Sequence, residues 1–312
     1  MAKPAHLEPS KLGTKEYWDA LYTTEIANHA HDPTDTGTAW FDDSDAEAKL
    51  VEFLEDPERA QELGLDESTT SFLDLGTGNG ALLFALRDAG WQGPMLGVDY
   101  SEQSVQFARR IEKARRRRRR RQDDDDDGSG GKTEEQGDRS HHENGNEGEG
   151  EEEEDGDLDV HFAQHDILHG SATALLDARF SPSVANGWDV VLDKGTFDAI
   201  SLSAETLDNA DSGPRRINEA YGARVLPLVR EGGLFLITSC NWTEAELRSW
   251  FEEGGSVVQD MPSSSAANGG NREQGFWGFE VVGRVEYRSF SFGGVKGQTI
   301  SSLCFRKVKK SR

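Results

Sequence analysis

The sequence predicts an α/β protein built on a doubly wound, mostly parallel sheet of seven strands with an antiparallel C-terminal hairpin. From residue 71 onward, apolar runs of strand length alternate with segments of helical period, which is typical of a parallel sheet covered on both faces. The last two strands, at 279–290 and 299–308, have no helix between them and should pair antiparallel. A turn with three glycines follows the first strand and marks a candidate binding site.

Local patterns predict the elements in chain order. In the N-terminal segment, residues 14–30 have apolar side chains at helical spacing, and 39–56 ends in a helix that begins near Ser44. The first five strands are predicted at 71–76, 94–101, 158–167, 188–195 and 234–240. Helices are predicted between and after them at 79–90, 101–113, 214–233 and 243–253.

Two segments interrupt this alternation. Residues 114–157 contain seven arginines at 115–121, then five aspartates and a tract rich in glycine and glutamate. Such a segment buries too little apolar area to offset the entropy of ordering, so we predict a disordered insertion. Its arginines are expected to pair with the adjacent aspartates, and a nuclear-import signal or a nucleic-acid arm is the alternative. A polar stretch at 261–275 is predicted to be a mobile loop.

Composition limits the classes of function. The 312 residues carry a net charge of −24, and the segment 113–157 holds 10 basic and 17 acidic residues, a net of −7, which leaves −17 for the rest. This charge would repel a phosphate backbone, which argues against a general nucleic-acid-binding surface and favours a basic protein partner. The two cysteines, Cys240 and Cys304, are too few for a disulfide framework.

The N-terminus has no apolar signal core, and no apolar run approaches the length that spans a bilayer. We therefore expect a soluble, cytoplasmic protein that acts as a monomer. Nucleic acid, membrane and metal are not expected among its partners.

The glycine turn reads D-x-G-x-G-x-G, with Asp74 inside the first strand and glycines at 76, 78 and 80. Glycines let a ligand approach the backbone, and the start of the next helix offers free N–H groups. Asp99 ends the second strand, where a carboxylate can accept the ribose hydroxyls of an adenosine group. The site should therefore bind a dinucleotide or S-adenosylmethionine. The third glycine comes one residue too early for the dinucleotide fingerprint, and an acid suits a sulfonium better than a pyrophosphate.

A family resemblance narrows this choice. "LDLGTGNG" resembles motif I of the seven-β-strand S-adenosylmethionine-dependent methyltransferases. The resemblance extends to the eukaryotic protein-lysine methyltransferases that modify translation elongation factor 1-alpha, through "KEYWDALYTTEI", "AWFDD", "LDKGTFDAISL" and "LITSCNWTEAEL". It implies a Rossmann-like methyltransferase domain at 61–312, whose seventh strand lies antiparallel beside the fifth. It also implies that the N-terminal helical segment, 1–60, contributes to the active site.

The resemblance implies roles for individual residues. S-adenosylmethionine would be bound by the glycine turn, by the ends of the neighbouring strands and by one aromatic residue, namely Asp74, Gly76, Thr77, Gly78, Asn79, Gly80, Asp99, Tyr100, Asp166, Ile167 and Trp40. The substrate would be bound by Phe41, Phe197, Asn241 and Trp242. Asp193, at the end of the fourth strand, would be the catalytic residue and would face the transferred methyl group.

Methyl transfer from a sulfonium is an in-line displacement, so the enzyme mainly orients its reactants. A lysine amine must be neutral to attack, yet its free pKa is about 10.4, and an aromatic pocket lowers that pKa by desolvation. Asp193 is expected to orient the amine and receive its proton. No D/N-P-P-Y/F tetrapeptide follows the fourth strand, which favours an amine acceptor over an amide or base nitrogen.

Three functions stay open at this point. The favoured one is a protein-lysine methyltransferase that acts on elongation factor 1-alpha. The others are a small-molecule methyltransferase of the same fold, which would usually carry a dedicated lid domain, and a non-catalytic binding module in intracellular transport. Asp99 and the motif glycines are all present, which disfavours the idle module. An NAD oxidoreductase is disfavoured by the glycine spacing.

Overall fold

The computed structural model describes the chain over residues 4–127, 159–176, 182–207, 215–253, 276–292 and 295–311. The predicted mobile loop at 261–275 and residues 128–157 of the charged insertion lie outside these ranges. Among the described residues, no helix combines the length and the apolar character needed to cross a lipid bilayer.

The described ranges contain the following elements. The α-helices are α1 (Lys15–His31), α2 (Ala46–Glu55), α3 (Pro57–Leu63), α4 (Ala81–Asp88), α5 (Glu102–Asp127), α6 (Thr196–Ser201), α7 (Tyr221–Val225) and α8 (Glu244–Arg248). The strands are β1 (Phe72–Leu75), β2 (Met95–Asp99), β3 (Val160–Gln164), β4 (Trp188–Lys194), β5 (Thr206–Leu207), β6 (Arg215–Arg216), β7 (Val229–Ser239), β8 (Phe276–Val285), β9 (Ser289–Phe292), β10 (Val295–Gln298) and β11 (Ser301–Lys310).

The main sheet has seven strands in the order β3-β2-β1-β4-β7-β11-β8. The first five of these pair parallel, and β11 pairs antiparallel with both β7 and β8. This confirms the predicted doubly wound sheet, including the last strand beside the fifth. A small hairpin, β9–β10, lies between the two long C-terminal strands.

Side chains alternate between the two faces of the sheet, and each face has its own core. In β4, Val190 and Leu192 belong to the core under α2, α4 and α5, whereas Val191 belongs to the core under α6, α7 and α8. Because successive residues of a strand point to opposite faces, Asp193 follows Val191 and Lys194 follows Leu192. This alternation decides where the polar end of β4 points.

The arginine run is helical, which corrects the predicted start of the disordered insertion at 114. Helix α5 continues from Glu102 to Asp127, and the sequence has no glycine or proline across that span. Arginine is a strong helix former. Three of the arginines pair with acids elsewhere in the fold. The pairs are Arg115 with Asp88, Arg116 with Asp159 at 3.1 Å, and Arg119 with Glu112 at 2.7 Å.

The helix predicted at 214–233 is also shorter than expected. Only α7 and its flanking 3-10 turns are helical, and β7 already begins at Val229. Pro227 lies in the last turn and cannot continue a helix, since it lacks an N–H donor. Val229 then pairs with Trp188, so the strand starts five residues before the predicted position at 234.

The N-terminal segment is attached to the glycine turn and to the end of α6. The side-chain amide of Asn79 donates to the carbonyl of Thr36 at 2.8 Å, and the hydroxyl of Thr38 donates to Glu25 of α1 at 2.6 Å. The amide of Ser10 donates to the carbonyl of Leu202 at 3.0 Å. These contacts place α1 and the loop after it over the carboxyl ends of the parallel strands.

Candidate active site

A cleft of about 530 Å³ lies at the carboxyl ends of β1, β2 and β4. This is where open parallel sheets bind ligands, and the volume falls in the range of cofactor and small-molecule sites. The glycine turn after β1 forms its floor, and the N-terminal segment forms the opposite wall.

The glycine turn is packed between two other elements. Gly76 and Gly78 have φ angles of 66° and 59°. A Cβ atom on Gly76 would lie 2.0 Å from the Oγ1 of Thr196, and one on Gly78 would lie 2.7 Å from the hydroxyl of Tyr22. Both positions therefore require glycine, because α6 and α1 approach the turn as closely as a ligand would.

Asp99 lies in the cleft lining and is 7% exposed. Its carboxylate accepts hydrogen bonds from the amides of Ser101 and Gly78, at 2.9 and 3.2 Å, and from the hydroxyl of Ser104 at 2.9 Å. A carboxylate has about four acceptor positions, so about one is left for a ligand hydroxyl. Burial raises the pKa of Asp99, and these hydrogen bonds oppose that shift.

Asp166, Ile167 and Tyr100 line the same end of the cleft. The carboxylate of Asp166 accepts from the amides of Leu168 and His169, at 2.9 and 3.1 Å, and contacts Nδ1 of His169 at 2.9 Å. Burial alone would raise the pKa of Asp166, but these contacts outweigh it and lower that pKa. The other ring nitrogen of His169 lies 2.9 Å from Glu205, so the imidazole bridges two acids of the cleft.

The other end of the cleft has an aromatic wall. Trp40 packs on Trp18 with ring centroids 5.2 Å apart, and Phe41 adopts a left-handed backbone with φ 66°. The Nζ atom of Lys194 lies 6.0 Å from the centroid of the Phe41 ring and donates to the carbonyl of Trp40 at 3.4 Å. A Cβ atom on Gly195 would lie 3.1 Å from that ring, so glycine allows Phe41 to stand over the end of β4.

Charged groups surround this aromatic wall. Burial lowers the pKa of Lys194, and the charges of Glu47 and Asp74 oppose that shift. Burial raises the pKa of Glu47, which lines the cleft from the first turn of α2. Burial also raises the pKa of Asp74 to about 7, although the side chain of Thr77 and the charge of Lys194 oppose this shift. We call Trp40, Phe41, Glu47 and Lys194 the cleft wall.

The structure does not bring Asp193 to the cleft, which corrects its predicted catalytic role. The side chain is 1% exposed and points to the face of β4 opposite Lys194. Its carboxylate accepts from the Tyr221 hydroxyl at 2.7 Å and from the amides of Thr196 and Phe197 at 2.8 and 3.1 Å. Burial raises its pKa to about 8. Asp193 therefore caps the start of α6 from inside the protein.

Phe197 and Trp242 are buried beside Asp193 rather than exposed to a substrate. Phe197 is 1% exposed, stacks on Tyr221 at 5.4 Å and packs at 6.0 Å from Trp242, which is 3% exposed. Core packing therefore accounts for both rings, contrary to their predicted substrate role. We call Asp193, Phe197, Tyr221 and Trp242 the inner cluster. Asn241, next in sequence to Trp242, does line the cleft.

Two predicted cofactor residues lie just behind the cleft surface. Asp74 is 3% exposed and faces Lys194 from within the sheet. Gly80 precedes α4, and a Cβ atom there would lie 2.6 Å from the ring of Phe162. Both residues shape the turn, but neither is part of the surface that a ligand would contact.

The sequence prediction missed several residues of the lining. Trp18 and Tyr22 lie one helical turn apart on α1, a spacing that signals a shared face. Lys194 follows Asp193 directly, and the alternation along β4 could have identified it. Glu47 and Cys240 carried no signal, because only the folded chain brings α2 and the end of β7 to the cleft.

S-adenosylmethionine fits these residues. Six carboxylate residues line the cleft, against the two lysines Lys15 and Lys194. Such a lining attracts a ligand with a sulfonium and an amino group and disfavours a pyrophosphate. The glycine turn and the remaining acceptor of Asp99 match the amino-acid and ribose groups, and the cleft volume accommodates the whole molecule.

Comparisons with known proteins agree with this fit. A family model described as a methyltransferase domain matches residues 66–121. "Protein-lysine N-methyltransferase EFM4" of Saccharomyces cerevisiae is 33% identical over 98% of this chain and 99% of its own length. Its counterpart efm4 of Schizosaccharomyces pombe is 36% identical over 81% of this chain and 85% of its own length. "EEF1A lysine methyltransferase 2" of Danio rerio is 27% identical over 98% of this chain and 92% of its own length.

Among solved structures, the magnesium protoporphyrin IX methyltransferase (ChlM) of Synechocystis PCC 6803 with bound SAM is 12% identical. The alignment covers 94% of this chain and 96% of that one, with a TM-score of 0.43.

Proposed function

The chain belongs to the family of protein-lysine N-methyltransferases that includes EFM4 of S. cerevisiae, and we propose that its substrate is a lysine of translation elongation factor 1-alpha. Membership confirms the family that the sequence motifs predicted. The names of the vertebrate relatives, EEF1A lysine methyltransferase 2, support this substrate. The methyl donor is S-adenosylmethionine, one of the two ligands that the glycine turn and Asp99 predicted and the one that the family resemblance implied.

One observation supports the proposal most. The glycine turn, Asp99 and the aromatic residues Trp40 and Phe41 line a single continuous cleft with an excess of carboxylates. One end of this cleft suits an adenosine group, and the other combines aromatic rings with acids, which suits an alkylammonium group.

Residues of the chain would hold the methyl donor along the floor of the cleft. The backbone at Gly76, Thr77 and Gly78 would contact its amino-acid end, and Asp99 would accept one ribose hydroxyl with its remaining acceptor position. Asp166 and Ile167 would contact the adenine. The carboxylate of Asp166 is already fixed by its own loop, so it is held in one orientation.

The cleft wall would prepare the amine for attack. When bound, S-adenosylmethionine supplies an electrophilic methyl group. Trp40 and Phe41 exclude water from the amine end and offer ring faces to a cation. The nearby ammonium of Lys194 disfavours a second positive charge, and together with desolvation it lowers the pKa of an entering lysine toward the neutral, reactive form.

We further propose that the chain acts as a monomer in the cytoplasm. Sedimentation of the purified protein and fluorescence microscopy of a tagged copy would test the two statements.

Incubating the purified protein with isotopically labelled S-adenosylmethionine and purified elongation factor 1-alpha tests the proposed substrate. We expect label in the factor, on one or a few lysines located by mass spectrometry, and no label when each such lysine is replaced by arginine. Label that appears only in small molecules of a cell extract would instead support a small-molecule methyltransferase. No label in either fraction, despite binding of S-adenosylmethionine, would support a non-catalytic module.

A further inference from the structure

We propose that the carboxylate of Glu47 binds the ε-ammonium of the target lysine at the methyl-transfer end of the cleft. The inference rests on the proposed function and specifies the residue that recognises the amine. It replaces Asp193, whose carboxylate is enclosed in the inner cluster and cannot reach a substrate.

The other carboxylates of the cleft are already bound or lie elsewhere. Asp99 and Asp166 accept several hydrogen bonds from their own loops. Asp198 accepts from the hydroxyl of Ser239 and from the amide of Cys240 at 2.8 Å. Glu205 contacts His169 at 2.9 Å. Each of these acids therefore already has structural partners, and Asp99 keeps only about one acceptor position, at the adenosine end.

Only Glu16 and Glu47, of the six acids, have no hydrogen bond or ion pair to another described residue. Glu16 is exposed near Tyr100, which lies at the adenosine end. Glu47 is half-buried, and its charge acts on Lys194 at the end of β4 and on Asp74 of β1. Glu47 therefore lines the part of the cleft that also contains Lys194, whose Nζ atom contacts Phe41 and the carbonyl of Trp40.

The surroundings of Glu47 suit a lysine side chain. Lys194 shows that the ring of Phe41 tolerates an ammonium group, since its Nζ atom lies 6.0 Å from the ring centroid. Moving a charged amine into the cleft costs desolvation free energy, and an ion pair with a carboxylate offsets that cost. Lys194, which forms no ion pair within 4.0 Å with a described acid, then favours loss of a proton from the bound amine. Glu47 recruits the amine, and Lys194 helps to activate it.

The reaction balances with these roles. The ammonium held by Glu47 gives one proton to water, and its nitrogen lone pair forms the new bond to the methyl carbon. The carbon–sulfur bond breaks and its electron pair stays on sulfur, which leaves a neutral thioether. The lysine leaves as a methylammonium ion with the same charge that it had on entry, so Glu47 can hold it for a further round.

The test is a double-mutant cycle of binding. The dissociation constant of elongation factor 1-alpha is measured for the unmutated enzyme and for Glu47→Gln, each with the natural factor and with its target lysine changed to methionine. We expect Glu47→Gln to weaken binding of the natural factor about tenfold to hundredfold and to leave binding of the methionine form unchanged. Turnover should fall with it, while affinity for S-adenosylmethionine, measured by calorimetry, stays the same.

Glu55→Gln is the matched control, because Glu55 is exposed at the end of the same helix. It should not change any of these quantities, and thermal melts would show that both variants are folded. Equal weakening of both forms of the factor, or none, would overturn the role of Glu47 while leaving the proposed function intact. Failure of the unmutated enzyme to methylate the factor would overturn the proposed function and this inference with it.

Discussion

The inner cluster and the cleft wall lie on opposite faces of β4, and both combine acids with aromatic rings. In the inner cluster the acid is fully bonded, since Tyr221 and two amides of α6 donate to Asp193. In the cleft wall the acid, Glu47, has no such partner among the described residues. The same residue types therefore build a core on one face and a candidate site on the other.

This difference shows that an acid is better identified as a binding residue by its lack of hydrogen-bond donors within the fold than by its position in a motif. A buried carboxylate without donors costs several kcal/mol, so a fold that buries one supplies donors. An acid at the rim of a cleft keeps its acceptors for a ligand. The predictions below test this assignment, beginning with the largest effect.

The largest difference between the two regions is expected for their aromatic rings, Phe197 in the inner cluster and Phe41 in the cleft wall. Phe197→Ala should lower the free energy of unfolding by about 3–5 kcal/mol, because it empties a fully buried site. Phe41→Ala should cost less than about 1 kcal/mol, because its ring is partly exposed, but it should slow methylation about two- to thirtyfold through loss of a cation–π contact. Urea unfolding and single-turnover assays measure the two effects. A stable but inactive Phe197→Ala would restore the predicted substrate role of Phe197.

Asp193 should matter for folding rather than for turnover. Asp193→Ala leaves the Tyr221 hydroxyl and two helix amides without an acceptor, and we expect a loss of about 3 kcal/mol. Asp193→Asn keeps an acceptor oxygen and should retain turnover within about threefold, since the cleft wall is unchanged. Single-turnover methylation by a folded Asn variant is the decisive measurement. A loss of about a hundredfold there would make Asp193 the general base after all.

The pH dependence of stability is a second, independent test of the same carboxyl group. The pKa of Asp193 is about 8 in the folded protein, against about 3.9 when unfolded. Between these values the folded state retains a proton that the unfolded state has lost, so this group makes the free energy of unfolding fall as pH rises. Asp193→Asn removes that contribution, and its stability relative to the unmutated protein should rise from pH 4 to 8 and then level off. Parallel curves from urea unfolding at each pH would contradict the assignment.

Much of the fold could be predicted because periodicity and turn residues are local signals. The alternation from β1 to α8 and the antiparallel last strands were read from apolar runs and from the absence of an intervening helix. The full extent of α5 does not follow from composition, because a segment of low hydrophobicity predicts disorder. In the structure, Arg115, Arg116 and Arg119 pair with acids of α4, of α5 itself and of the residue before β3.

The site could be predicted most directly where a motif fixes the backbone. The glycine turn and Asp99 follow from strand ends, which meet at one edge of a parallel sheet. The direction of Asp193 depends on the alternation along β4, which the sequence contains but which a motif match ignores. Glu47 could not be predicted, because its position in the cleft depends on how α2 packs against the sheet.

Asp166 is intermediate between Asp193 and Glu47. It lines the cleft, and yet its carboxylate already accepts hydrogen bonds from amides of its own loop. His169 connects it to Glu205, with contacts of 2.9 Å to both acids. The hydrogen bond to Asp166 raises the pKa of His169 above 6.5, against partial burial. The bridge should therefore contribute fully to the free energy of unfolding below about pH 6.5, where the histidine is charged in both the folded and the unfolded state. Its contribution should decrease as the pH rises through the higher pKa of the folded state.

His169→Gln should accordingly destabilise the protein at pH 5.5 and have less effect at pH 9. The effect should stay below about 1 kcal/mol, because the imidazole is 55% exposed and solvent screens the pair. Urea unfolding of both proteins at the two pH values measures it, and Asp166 remains ionised at the lower pH because its pKa is lowered. An equal difference at both pH values would mean that the bridge acts through packing alone. Asp166 would then be held by the amides of its own loop, as Asp193 is held by those of α6, and its orientation in the cleft would not depend on the charge of His169.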